Sequence, residues 1–148
     1  MTLKEMEKRL EVMEDIEAIK KLQRKYVYAL ASQQWDDMLE CFAEDGTADI
    51  WTHGLKKGKK EIGELFKSFI GKILPSHGHL VAQPVINVNG SSAEGCWLLY
   101  LFLPDPESTW IQGRYDCEYV KVNGEWKFKH LKYTRPWPDP ETITNRSA

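Results

Sequence analysis

Apolar positions recur every three or four residues from Leu3 to Leu30, at Leu3, Met6, Leu10, Met13, Ile16, Ile19, Leu22, Tyr26 and Leu30. That spacing gathers one stripe on a helix and predicts a single long one. Outside the stripe its first three turns are highly charged, with Glu5 and Lys8 paired on the wet side, so they are expected to project towards a partner subunit. Ser32 is expected to cap a second helix that carries Trp35, Met38, Leu39 and Phe42 inward and stops at Gly46. Thr47 to Thr52 reads as a short strand, turned at His53-Gly54 into a Lys-rich return that ends at Gly58. Ile62, Leu65, Phe66, Phe69, Ile70 and Ile73 then mark a third helix closed by Pro75.

The pattern changes period after that helix. His79 to Val88 and Ala93 to Leu103 flank Asn89-Gly90 and read as one hairpin, with Pro104-Asp105-Pro106 as the loop to a second. The second, Trp110 to Arg135, folds at Asn123-Gly124, the residue pair that a type I′ turn prefers. On its outgoing strand Ile111, Gly113, Tyr115, Cys117 and Tyr119 share one face, and Gln112, Arg114, Asp116 and Glu118 the other. On the return strand Trp126 and Phe128 set one parity and Leu131, Tyr133 and Arg135 the opposite one. A slip of one residue near Lys129 and His130 predicts a bulge or sharp bend.

Helices followed by long antiparallel strands indicate an α+β fold in which a strongly bent antiparallel sheet wraps three helices as a cone. The 148 residues are one domain's worth, 1–148, with 136–148 a polar tail. A net charge of -2 and scattered basic residues, apart from Lys56, Lys57, Lys59 and Lys60, argue against a nucleic-acid partner. Cys41, Cys96 and Cys117 have no CxxC spacing and read as small core residues in a reducing compartment. No signal-like or membrane-spanning run is present, so the expectation is a soluble, cytoplasmic protein without membrane or metal partners. In the strand from Ala93 to Leu103, Tyr100 and Phe102 oppose Trp97 and Leu99 in parity, so both faces are apolar and a homo-oligomer, trimer or dimer, is expected.

The segments DIEAIKKLQRKYVYAL with WDDM, HLVAQP, Gly95-Cys96-Trp97 and YVKVNGEWKFKHLKYTR together resemble the SnoaL-like branch of the NTF2-like superfamily, from about Glu14 to Trp137. Within it the likeness is to bile acid 7α-dehydratases and, more distantly, scytalone dehydratase and hexachlorocyclohexane dehydrochlorinase. The resemblance implies a cofactor-free lyase that removes a proton from carbon and expels a leaving group. It implies that His79, five residues before Pro84, is the catalytic His, with Tyr26 and Arg135 assisting. The acid of the dehydratase pattern is absent, since Ala31 stands four residues before Trp35. A carboxylate there would raise the basicity of the imidazole and fix its tautomer.

Each candidate also has a plainer role. His79, with Val81 on its strand face, fits a core His satisfied locally, and Tyr26 fits a core Tyr bonded to backbone. Arg135 fits a rim residue paired with an acid. Trp35, Trp51, Trp97, Tyr115 and Tyr133 are expected as substrate-binding walls or core. Asp49 is an alternative acid, opposite in parity to Ala48 and Ile50. His77 and His79 at i,i+2 lack a third metal ligand nearby. Two functions follow: a dehydratase-like lyase or isomerase acting on a hydrophobic ring-containing substrate, or a non-catalytic small-ligand-binding domain of the same fold.

Overall fold

A computed structural model describes residues 1–73, 78–104 and 108–141. The expected positions of Pro75, His77, Asp105, Pro106 and the end of the tail lie outside those residues. The order is α1 (Leu3–Ala31), α2 (Trp35–Glu40), β1 (Phe42–Ile50), β2 (Leu55–Lys57), then a third helix, then β3 (Gly78–Asn89), β4 (Ser92–Leu103), β5 (Thr109–Val122) and β6 (Glu125–Thr134). The third helix runs as α3 (Gly58–Leu65), a π-helical turn (Phe66–Ile70) and a last turn, α4 (Gly71–Ile73).

The six strands form one curved sheet in the order β2-β1-β6-β5-β4-β3. All neighbours are antiparallel except β1 and β6, so the sheet is mixed where an antiparallel one was expected. Both Asn-Gly hairpins form, with Asn123 and Gly124 at positive φ. The predicted slip is a bulge: His130 pairs with Glu118 and Phe128 with Tyr119, leaving Lys129 as the extra residue. Trp126, Phe128, Leu131 and Tyr133 therefore all turn inward and are buried. Gly113, Tyr115, Cys117 and Tyr119 are buried on the same side.

The early boundaries differ from expectation. Ser32 is the C-cap of α1, its hydroxyl donating to the Tyr28 carbonyl at 2.7 Å, and Gln34 is the N-cap of α2. Helix α2 ends at Glu40 rather than Gly46, because the chain from Phe42 is drawn into the sheet beside β6, where the Phe128 N–H donates to the Cys41 carbonyl at 2.8 Å. Gly46 serves that approach: a Cβ there would lie 2.9 Å from the Ala43 carbonyl and 3.0 Å from that of Phe128. The sequence beyond β6 is not simply polar, since Trp137 exchanges hydrogen bonds with Gln112 and lies 5.1 Å under the Arg114 guanidinium.

The second half of α1 fills the cone, with Ile19, Leu22, Tyr26, Ala29 and Leu30 buried. Its first turns leave the body, and Leu3 and Leu10 are 79% and 56% exposed. At the point of departure Asp15 accepts from Trp126 Nε1 at 2.8 Å and meets Lys121 Nζ at 2.6 Å. Burial acts to raise the Asp15 carboxyl, but the hydrogen bonds from Lys121 and Trp126 and the ammonium charge outweigh it and hold the group below its ordinary range. A depressed folded-state value stabilises the fold above the unfolded carboxylate range, and this contribution is lost as pH falls through the folded value. Asp15→Asn is expected to lower unfolding free energy by about 1 kcal/mol at neutral pH. Denaturant melts at descending pH should show the difference from the parent closing in acid.

Candidate functional site

The inner end of the cone holds a small aromatic cavity of ≈ 60 Å³. Helix α1 contributes Tyr26 and Leu30, and the third helix Phe66, Ile70 and Ile73. From the sheet come Leu99, Leu101, Tyr115, Tyr133 and Arg135, with His79 at the start of β3. The chain after β1 closes the ring: Trp51 has φ 50° and Gly54 φ 78°, and these two left-handed residues turn His53 over the third helix, its ring 4.6 Å from Phe69.

Tyr26 is 1% exposed and meets Phe42, Phe66, Tyr115 and Phe128 edge-on at 5.3–6.5 Å. Burial first, then the neighbouring Tyr115, pushes its hydroxyl well above the ordinary phenol range, so it stays protonated. Burial raises Tyr115 likewise, and pushes Tyr133 up to about 12 against the opposing charge of Arg135. The Arg135 guanidinium stacks 3.9 Å from the centroid of Trp51. That charge lies near Tyr133, yet among the described residues neither the Tyr133 hydroxyl nor Arg135 Nε makes a hydrogen bond of good geometry. The wall of the cavity thus holds two buried polar atoms that lack a partner among the described residues.

His79 also borders a wider groove of ≈ 560 Å³ between α1 and β3, where Ala31 and Trp97 lie. Trp97 is buried and donates from Nε1 to the Tyr119 hydroxyl at 3.0 Å. His79 on β3 and Ala31 on α1 thus border the same groove from its two sides, and position 31 is where the dehydratase pattern has its acid. No Asp or Glu among the described residues lines either cavity or groove. Asp49 is no substitute: Ala48 and Ile50 are the inward residues of β1, while Asp49 lies between them opposite Lys132.

Of the residues singled out from sequence, His79, Tyr26, Arg135, Trp51, Tyr115 and Tyr133 meet at the cavity. Trp97 lines the groove instead. Trp35 lines neither: its ring packs 6.4 Å from Phe66 and against Gly71, on the far side of the third helix. His53 was missed, because the alternation that assigns strand faces does not survive the left-handed turn at Trp51. The His53-Gly54 pair was the available signal. Among the described residues no group of three or more His, Cys, Asp or Glu is placed to hold a metal ion. No helix there is long and apolar enough to cross a membrane.

Comparison with known proteins agrees with this architecture. A family model described as a SnoaL-like domain matches residues 11–132, and the chain belongs to that family. An NTF2-like protein with a cystatin-like fold from Novosphingobium aromaticivorans superposes with a TM-score of 0.82 at 17% identity, covering 97% of this chain and 96% of that one. Hexachlorocyclohexane dehydrochlorinase from Novosphingobium barchaimii gives 0.76 at 19% identity, covering 84% and 88%. A candidate scytalone dehydratase from N. aromaticivorans gives 0.71 at 21%, covering 82% and 83%. At these identities the likeness is one of fold.

The cavity floor rests on Gly113, where a Cβ would lie 2.8 Å from both the Tyr133 ring and the Thr134 carbonyl. Gly113→Ala is expected to push Tyr133 into the cavity and to cost about 1–3 kcal/mol of stability. Thermal melts together with near-UV circular dichroism of the tyrosine band check both effects.

Proposed function

We propose that this SnoaL-like chain is a small-molecule pocket protein whose chemistry is a cofactor-free elimination or isomerisation, dehydratase-like, on a hydrophobic ring-containing substrate. The observation that carries the reading is the convergence of His79, Tyr26 and Arg135 on one aromatic cavity. A candidate scytalone dehydratase and a hexachlorocyclohexane dehydrochlorinase are named among proteins of this fold, and dehydration and dehydrochlorination each remove a proton and a leaving group. In this scheme neutral His79 takes the proton from carbon. The C–H electron pair becomes the new π bond, and the leaving group departs with its own pair towards Arg135. Tyr26, held protonated, donates to or positions the substrate rather than acting as a base. General-base catalysis contributes typically ~10²–10⁴-fold, so His79→Ala should lower turnover by about that factor. Ala31→Asp should raise it, because the new carboxylate would enter the groove that His79 borders.

A second reading is favoured by Ala31 and by the lack of any lining carboxylate among the described residues: a binding domain that retains the cavity and performs no chemistry. Equilibrium binding that His79→Ala changes only modestly, with no turnover of any halogenated or hydroxylated ring compound, would establish that alternative.

A homo-oligomer is part of the proposal. Trp110 is 62% exposed beside Phe102 and Tyr100 on the outer face of β4 and β5, which leaves an apolar surface for a second copy to cover. Sedimentation should give a dimer or trimer at micromolar concentration; monomer alone would refute it.

A further inference from the structure

The cavity and the groove differ in capacity by a margin that constrains the ligand. A dry cavity of about 150 Å³ is the scale that admits benzene, whereas the aromatic cavity here is ≈ 60 Å³. The groove, at ≈ 560 Å³, falls in the usual range for ligand sites, ~300–1,000 Å³. A ring-bearing molecule would therefore have to lie mainly in the groove and present only its reacting end to His79.

The groove has a distinct chemical profile along α1. Its floor is apolar, formed by Val27, Val81, Ala82, Pro84 and Trp97. On the helical turn between Lys20 and Arg24 sits Gln23, 1% exposed, whose Oε1 accepts from the Tyr119 hydroxyl at 3.3 Å and whose Nε2 has no hydrogen-bond partner among the described residues. A buried amide donor without an acceptor is costly, and a side-chain rotation that brings Nε2 to the groove would let it meet an incoming oxygen. At the far end stand Lys20 and Arg24. Lys20 is paired with Glu17 at 2.8 Å, and the solvent-exposed Arg24, which also lines the groove, lies within the electrostatic reach of the same carboxylate. Seven residues of helix separate Arg24 from Ala31, roughly 10 Å at the α-helical rise.

We propose that the α1–β3 groove is a binding site for ring-bearing anions, with the anionic group at Arg24 and Lys20, an oxygen acceptor at Gln23 Nε2 and the opposite end of the ligand at His79. The inference takes from the pocket reading only the identity of the His79 end; the binding of an unreactive probe tests the rest without reference to turnover.

The probe is 8-anilinonaphthalene-1-sulfonate, an aryl anion that fluoresces on entering an apolar site. N-phenyl-1-naphthylamine, the same aromatic frame without the sulfonate, is its uncharged control. Arg24→Glu is expected to weaken the sulfonate about tenfold, the size of an exposed ion pair replaced by repulsion, and to leave the amine within about twofold. The sulfonate's advantage should also shrink as salt rises. Lys20→Glu provides a second charge reversal at an independent position. Ala31→Phe, at an exposed helix position facing the groove, should weaken both probes by blocking the His79 end. Circular dichroism checks that each variant is folded. Affinities for the sulfonate that both charge reversals leave unchanged, or binding of both probes untouched by Ala31→Phe, would overturn the proposal. A protein that binds through Arg24 yet catalyses nothing removes only the lyase reading. A protein whose turnover depends on His79 but whose probe binding ignores Arg24 removes only the groove.

Discussion

The edge-on insertion of the Tyr26 ring among Phe42, Phe66, Tyr115 and Phe128 is the contact on which the interior depends. It joins α1, β1, the third helix, β5 and β6 through one side chain. Edge-to-face pairs contribute about 0.5–1.5 kcal/mol each beyond buried area. Four of them fix both the depth and the rotation of α1. That rotation puts Leu30 towards the cavity and Lys20, Arg24 and Ala31 along the groove, so cavity and groove are two sides of one helix placement.

The sheet meets the helix because β6 changes parity once. With Lys129 left out of the pairing, Phe128 reaches the Tyr26 ring and, beyond the bulge, Tyr133 reaches the cavity. A regular strand could direct only one of those pairs inward, because side chains alternate strictly between faces. The bulge also bends the sheet, which gives the cone an interior at all. The parallel pairing of β1 with β6 then brings Ile50 and Trp51 level with Tyr133 and completes the wall.

These relations explain what could be read from the chain in advance. Asn-Gly turns and alternating aromatics are local signals, and the slip at Lys129 was visible because Phe128 and Leu131 cannot share a face in a regular strand. Phe42 was misplaced because Trp35, Met38, Leu39 and Phe42 also satisfy a helical period; the pairing with β6, a contact across more than eighty residues, overrides it. Within the site, His79, Tyr26 and Arg135 came from motif order, and their convergence follows from register. Trp35 was included for its aromatic character, but its helix turns it towards Gly71. His53 was invisible for the converse reason, since the backbone at Trp51 and Gly54 leaves the extended region and parity no longer predicts direction.

The groups collected in the cavity have a common electrical character. Tyr26, Tyr115 and Tyr133 are all raised by burial and stay neutral donors across the physiological range, and Arg135 adds a permanent positive charge over Trp51. With no lining carboxylate among the described residues, this set is suited to receiving negative charge: a leaving group, an enolate oxygen or a bound anion. In the proposed elimination the charge developing on the leaving group would meet Arg135 and the three phenols, while His79 borders the same cavity. A substrate whose C–H bond is already acidified, by a neighbouring carbonyl or halogen, would match that arrangement, because the negative charge it develops is the charge these groups are suited to receive.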